Sequence, residues 1–182
     1  LEDITITIDA FRALPEYFIQ QAQVLCDTLL LDLRPAIDLN AIYDSLVDRR
    51  PGQSFVSNPS NQLRDLYLQL ADQAAGRCAF GLIQEGTWQL DAVHRYLLHH
   101  DQLLEYIAGA LMTASGQAPR VKELEGIEYT NTPSTERAIY VYQGQVMYLT
   151  RHSKSKRSTG REFIVARFLP TCAGHILFLY LV

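Results

Sequence analysis

The stretch Ala138-Ile-Tyr-Val-Tyr-Gln-Gly-Gln-Val-Met-Tyr-Leu-Thr150, Arg151-His-Ser-Lys-Ser-Lys-Arg-Ser-Thr-Gly-Arg161, Glu162-Phe-Ile-Val-Ala-Arg-Phe168 reads as three strands joined by two turns. The flanking runs are rich in β-branched and aromatic residues, which suit a pleated, half-buried surface. Gln143-Gly-Gln145 has the length and the glycine of a tight hairpin connection. The second connection is different in kind. It holds five cations, Arg151, Lys154, Lys156, Arg157 and Arg161, and no carboxylate before Glu162. A hairpin tip of Lys, Arg, Ser, Thr and Gly is suited to phosphate oxygens, so nucleic acid is the first partner to consider.

Outward from this stretch the chain turns helical. Pro170 precedes an apolar run, Gly174-His-Ile-Leu-Phe-Leu-Tyr-Leu-Val182, that reads as a helix. Because that run stops at Val182, the chain is expected to be a fragment of something longer. Upstream, Arg120 to Tyr129 reads as a short helix and Asn131-Thr-Pro-Ser134 as a turn. Thr113-Ala-Ser-Gly-Gln-Ala-Pro119 has the composition of a linker or sharp turn. A long helical segment starts near Trp88 and carries Leu90, Val93, Leu97, Leu98, Leu104, Ile107 and Leu111. Earlier still, Ser60 or Asn61 is positioned to cap an amphipathic helix presenting Leu63, Leu66, Tyr67 and Leu70. Asp38 or Asn40 is positioned to cap a shorter helix through Val47, and residues 14–33 have helical apolar spacing with Pro15 suited to the first turn.

The expected fold is therefore α+β and mostly helical, with an N-terminal helical bundle over residues 1–114 and a small antiparallel sheet in residues 115–182. With 182 residues, 48% hydrophobic and 20% charged, the chain can bury a real core. Its net charge of -4 is unevenly spread. Residues 1–119 carry 7 Lys/Arg against 15 Asp/Glu, and residues 120–182 carry 9 against 5. A change of partner near residue 119 is one explanation of that split.

Several chemistries lack their motifs. There is no Walker-type phosphate loop, no Gly-x-Ser-x-Gly, no His-Glu-x-x-His and no Gly-x-Gly-x-x-Gly. Cys26, Cys78 and Cys172 are far apart and have no ligand spacing with the five histidines, so neither a metal site nor a cofactor is expected. Reduced, buried thiols are the expected state. No apolar run approaches the roughly 20 residues that a membrane-spanning helix needs.

Two features carry chemistry. Gly116-Gln-Ala-Pro-Arg-Val-Lys-Glu-Leu124 opens a helix with Arg120 directly after a Gly/Pro turn, and Lys154 lies in the basic hairpin. An arginine at a helix start can aim its planar fork at a phosphate, and a nearby lysine can add charge or donate a proton to a leaving oxygen. Read singly, each has a plainer explanation as a helix residue paired with Glu123 or as a solvated turn.

Helix with Arg-x-x-Glu-Leu, strands, Lys-bearing hairpin, then Pro and an apolar helix resembles the first half of a tyrosine recombinase catalytic domain. More narrowly, the chain is similar to the recombinase-like region of long fungal RecQ-type, telomere-linked helicase proteins, related to the Crypton class of mobile elements. The residues that carry the likeness are Ser115 to Leu124, Asn131-Thr132, Arg137 to Val141, Thr150-Arg-His-Ser-Lys154 and Arg167-Phe-Leu-Pro170. The resemblance implies that Arg120 clamps the scissile phosphate, Lys154 donates a proton to the 5′ oxygen, and Glu123 orients the arginine. Arg151, Lys156, Arg157 and Arg161 would add contacts to the DNA backbone, and the helices of residues 54–114 would match the family's core-binding domain. It also implies a nuclear protein with duplex DNA as partner, together with further domains of the same longer chain.

The family's second half is missing from the sequence. No His-x-x-Arg occurs, and Tyr180 follows the hairpin too closely to be the nucleophile. Without that tyrosine no phosphotyrosyl intermediate forms, so DNA binding without cleavage is expected. The rival expectation is a non-catalytic protein-interaction domain that has lost DNA binding, to which the acidic first 119 residues point.

Overall fold

The computed structural model describes residues 7–76, 80–152 and 163–182. Among these the chain is α+β, with about half of its residues helical, five α-helices and two small antiparallel sheets.

Helix α1 (Ile8–Leu29) begins earlier than the apolar spacing predicts, because Thr7 caps it, its Oγ1 accepting from the Ala10 N–H at 3.2 Å. Pro15 consequently lies inside the helix and not in its first turn. The helix stops at Leu29 instead of residue 33, since Leu31 and Asp32 adopt positive φ angles of 53° and 69°.

The helix expected from Asp38 to Val47 is reduced to one 3-10 turn, Leu39–Ala41, capped by Asp38. Beyond that turn the chain is held by tertiary partners: Tyr43 N–H donates to Asn61 Oδ1, and the Asp44 carboxylate is bound by Arg137 and by the Val141 N–H. Neither Ser60 nor Asn61 caps helix α2 (Arg64–Ala75). They belong to a 3-10 turn, Pro59–Asn61, and the Asn61 amide serves the carbonyls of Tyr43 and Phe55. A two-residue hairpin, β1 (Ile83–Gln84) with β2 (Thr87–Trp88), precedes helix α3 (Leu90–Thr113), where the sequence carries no clear strand pattern.

Helices α1 and α3 run antiparallel. Phe18 lies against Tyr106 and Gly109 at one end, and the Tyr96 hydroxyl donates to the Leu29 carbonyl at the other. A Cβ at Gly109 would sit 2.5 Å from the Phe18 ring. Glycine inside a helix ordinarily costs about 1 kcal/mol relative to alanine, yet here Gly109→Ala should destabilise by about 1–2 kcal/mol through overpacking. Urea denaturation checks this, and in a Phe18→Ala background the same change should become stabilising. A more stable Gly109→Ala protein would show that the close approach is not constraining.

Helix α4 spans only Val121–Leu124, shorter than the predicted run to Tyr129. The chain then winds around Asn131 to reach a three-stranded sheet of β3 (Ile139–Tyr142), β4 (Gln145–His152) and β5 (Phe163–Phe168), in the order β3-β4-β5. Gln143 and Gly144 both have positive φ (49° and 74°), as a two-residue hairpin turn of this hand requires, and the Asn40 amide closes over Gly144 where a Cβ would be. Strands β4 and β5 pair from Met147↔Phe168 to His152↔Phe163, flanking residues 153–162, which lie outside the described residues. Helix α5 (Thr171–Leu181) returns across β4.

One hydrophobic core joins residues from both sides of the 115–119 segment. Ala22 and Cys26 of α1, Leu103 and Ile107 of α3, Val146 and Tyr148 of β4, and Ile176 of α5 all belong to it. Phe55 stacks on Phe178 within it, ring centroids 5.4 Å apart. Ser115 and Pro119 are buried as well. Burial pushes the Cys26 thiol up to about 11, with Asp27 adding to the effect, whereas Cys172 is exposed. Cys172 should therefore react with a maleimide within minutes at neutral pH while Cys26 reacts only on unfolding, as mass spectrometry of peptides would show.

Candidate nucleic-acid interface

The Arg120 and Glu123 pair is formed as its spacing predicts. Arg120 is the residue before α4; its N–H donates to Glu123 Oε2 at 3.1 Å and its Nε lies 3.8 Å from Glu123 Oε1. The glutamate side chain is only 10% exposed, while that of Arg120 is 62% exposed. Backbone and carboxylate thus hold the root of the arginine, and its fork is open to solvent. Helix α4 packs against β4, so Arg120 starts beside the strand whose end leads into the basic run. Lys154, Lys156, Arg157 and Arg161 lie outside the described residues.

Arg151, the first cation of the run, is described, and it is engaged. Its Nη2 donates to Glu136 Oε2 at 2.9 Å, and Glu136 Oε1 takes Arg49 Nε at 3.0 Å. Glu136 therefore ties the loop before Pro51 to the sheet. In the same loop Arg50 donates to Asp48, holding that carboxyl down at about 2.

Beneath these surface pairs lies a buried network that no local sequence pattern announces. Arg137 and Asp44 form an ion pair whose side chains are 2% and 1% exposed. Arg137 Nη1 donates to Asp44 Oδ2 at 3.0 Å, and Nη2 donates both to Asp44 Oδ1 and to the Ser45 carbonyl, the latter at 2.8 Å. The guanidinium also lies 4.2 Å from the Tyr140 ring centroid. Burial raises the Tyr140 phenol, an effect Arg137 opposes. Asn131 completes the join: its Oδ1 accepts from Arg137 N–H, and its amide donates to the carbonyls of Asp48 and Arg50. The only signal in the sequence is an arginine shortly before an apolar strand.

On the helix-facing side of the sheet, the Tyr148 hydroxyl sits 2.9 Å from the Leu111 carbonyl and 2.6 Å from Ser115 Oγ. Burial raises this phenol, while Ser115 and the nearby Arg167 charge act the other way. Tyr180 lies on α5 with its ring against His100, its phenol raised by burial and by Tyr129, an environment opposite to that of an activated nucleophile. Among the described residues, no three His, Cys, Asp or Glu side chains converge as metal ligands, and no helix is long and apolar enough to cross a membrane.

Comparison of the chain with family models, curated proteins and solved structures gave no match.

Proposed function

We propose that this chain binds duplex DNA through the phosphate backbone, as one part of a larger nuclear helicase or mobile-element recombinase protein, and that it does not cut the strand by itself. The observation that supports this reading is the exposed side chain of Arg120, held at its root by Glu123 at the start of α4, a helix that packs against β4, the strand leading into the basic run. The recombinase-like roles follow from the resemblance: Arg120 grips a phosphate, Glu123 orients it, and Lys154 with Lys156, Arg157 and Arg161 adds charge. Arg151 contributes less than its neighbours, because Glu136 already neutralises part of it. A salt titration of duplex binding tests the reading. Affinity should fall by about 10²-fold or more between about 50 and 200 mM salt for a protein contacting several phosphates. A flat response would remove the phosphate clamp.

A second reading has support of its own. The first turns of α1 expose Ile8 and Phe11, and α3 exposes Leu90 and Leu97, within the half of the chain that carries the acidic excess. These are two exposed apolar patches, at opposite ends of the antiparallel α1–α3 pair, and each fits a protein partner better than a polyanion. Failure to shift a duplex at low salt, together with capture of a protein partner that Phe11→Ser abolishes, would favour this reading.

A further inference from the structure

The three-stranded sheet has two edges, and only one of them is covered. On the outer edge of β3 the Ile139 N–H donates to the Glu128 carbonyl, the Ile139 carbonyl accepts from Arg137 Nη1, and the Val141 N–H donates to Asp44. Strand β5 ends the order β3-β4-β5 on the other side. The ladder fixes which of its groups point outward. Leu169 N–H donates to the Val146 carbonyl, continuing the register in which Arg167 faces Tyr148 and Val165 faces Thr150. Antiparallel bonds alternate along a strand, so Val165 and Arg167 turn their backbone groups to β4, while Ile164, Ala166 and Phe168 turn theirs away. Among the described residues, those outward N–H and C=O groups have no hydrogen-bond partner.

The side chains of the same three residues lie on the face opposite Tyr148 and Arg167. Ile164 is 48% exposed and Phe168 45%, and the Phe168 ring lies against the exposed Tyr142, centroids 6.5 Å apart. None of the three is charged or proline, the residue types that ordinarily keep an open edge from pairing. An unpaired, uncharged, apolar edge is a template for another strand.

We propose that β5 docks on the β5 of a second copy of this chain, antiparallel about a two-fold axis at Ala166, joining the two sheets into one. In that register Ala166 faces its own counterpart, and Ile164 of each copy faces Phe168 of the other. Every outward N–H and C=O of the three residues then finds a partner, and the facing Ile–Phe pairs leave water together. A second copy fits better than a foreign strand because the edge is complementary to itself, as an isologous contact requires. Charge selects the direction. Lys154, Lys156, Arg157 and Arg161 lie in sequence between His152 and Phe163, the pair at one end of the β4–β5 ladder. Antiparallel docking sets the two copies of that end apart, whereas parallel docking would crowd like charges at one end.

Sedimentation velocity over about 1–200 μM protein measures the association, since an edge contact is at the small end of interface sizes and should dissociate at about 10–100 μM. The weight-average mass should rise with concentration toward twice that of the monomer. Ala166→Pro removes an outward N–H that serves no bond within the chain, so this variant should keep the parent's urea midpoint at low concentration and remain monomeric. Ala166→Lys and Ala166→Glu test the same axis without touching the backbone. Each sets like charges against one another and should weaken association at least about fivefold, and an equimolar mixture of the two should regain it. A parent that stays monomeric throughout, or an Ala166→Pro protein that associates as the parent does, overturns the proposal. A mixture no more associated than its components overturns the two-fold register.

Discussion

Replacing Asp44 with alanine is expected to lower folding stability by about 3–5 kcal/mol, a large part of what a domain of this size has to lose. Among the described residues the carboxylate is the sole counter-charge paired with Arg137, a residue 1% exposed. Truncation also strands the Val141 N–H, which donates to Asp44 Oδ2 at 2.9 Å. Asp44→Asn keeps an acceptor and the shape and should cost less than alanine. The double change Asp44→Ala/Arg137→Met should recover much of the loss, because it removes the orphaned charge together with its partner. Chemical denaturation of the parent, both single variants and the double variant measures the coupling. A loss below about 1 kcal/mol for Asp44→Ala would mean that solvent reaches Arg137, against its burial. The expected damage is structural: the pair fastens residues 44–45 to the start of β3, through Arg137 donating to the Ser45 and Ile139 carbonyls.

Charge reversal at Lys154 and Lys156 together should weaken duplex binding by at least about tenfold, with folding stability unchanged within about 0.5 kcal/mol. Neutralisation at the same positions should reduce the slope of log affinity against log salt by about 2, close to one unit for each phosphate no longer engaged. Arg12→Glu is the matched control. It changes net charge by the same step per residue on the exposed start of α1, where among the described residues Arg12 pairs with Asp9 alone, at 3.7 Å. An equal loss from the Arg12 change would indicate response to overall charge and not to a local clamp. Retention of parent affinity by the doubly reversed protein would sink the clamp itself and leave the protein-docking reading.

The hairpin arms, the Gln143-Gly144 turn, the long α3 and the apolar C-terminal helix were legible because each signal is local. Alternating β-branched and aromatic residues, a glycine at positive φ and sustained helical spacing act within a few residues of one another. The Arg120–Glu123 pair was legible for the same reason, being one helical turn apart. Expectations failed where a distant group competed for the backbone. Asp38 does cap a turn, but Asp44 is claimed by Arg137, 93 positions later, so no helix continues through it. Asn61 reads as a helix cap and is used as a bridge between Tyr43 and Phe55. The helix from Arg120 ends at Leu124, and the chain then bends toward Asn131, whose partners include residues 48, 50 and 53.

By itself, then, the sequence determined the α+β class, the three-stranded sheet with its basic connection, and the pairing of Arg120 with Glu123. Those features depend on periodicity, turn chemistry and short spacings. Only the tertiary structure decided that α4 rests on β4, that Arg137 and Asp44 are joined out of solvent, and that Arg167 and Thr150 each bury a polar atom without a partner. Burial and pairing are properties of groups far apart in the chain that share a small volume. No local pattern encodes whether an arginine in a strand will meet a carboxylate, water or nothing at all.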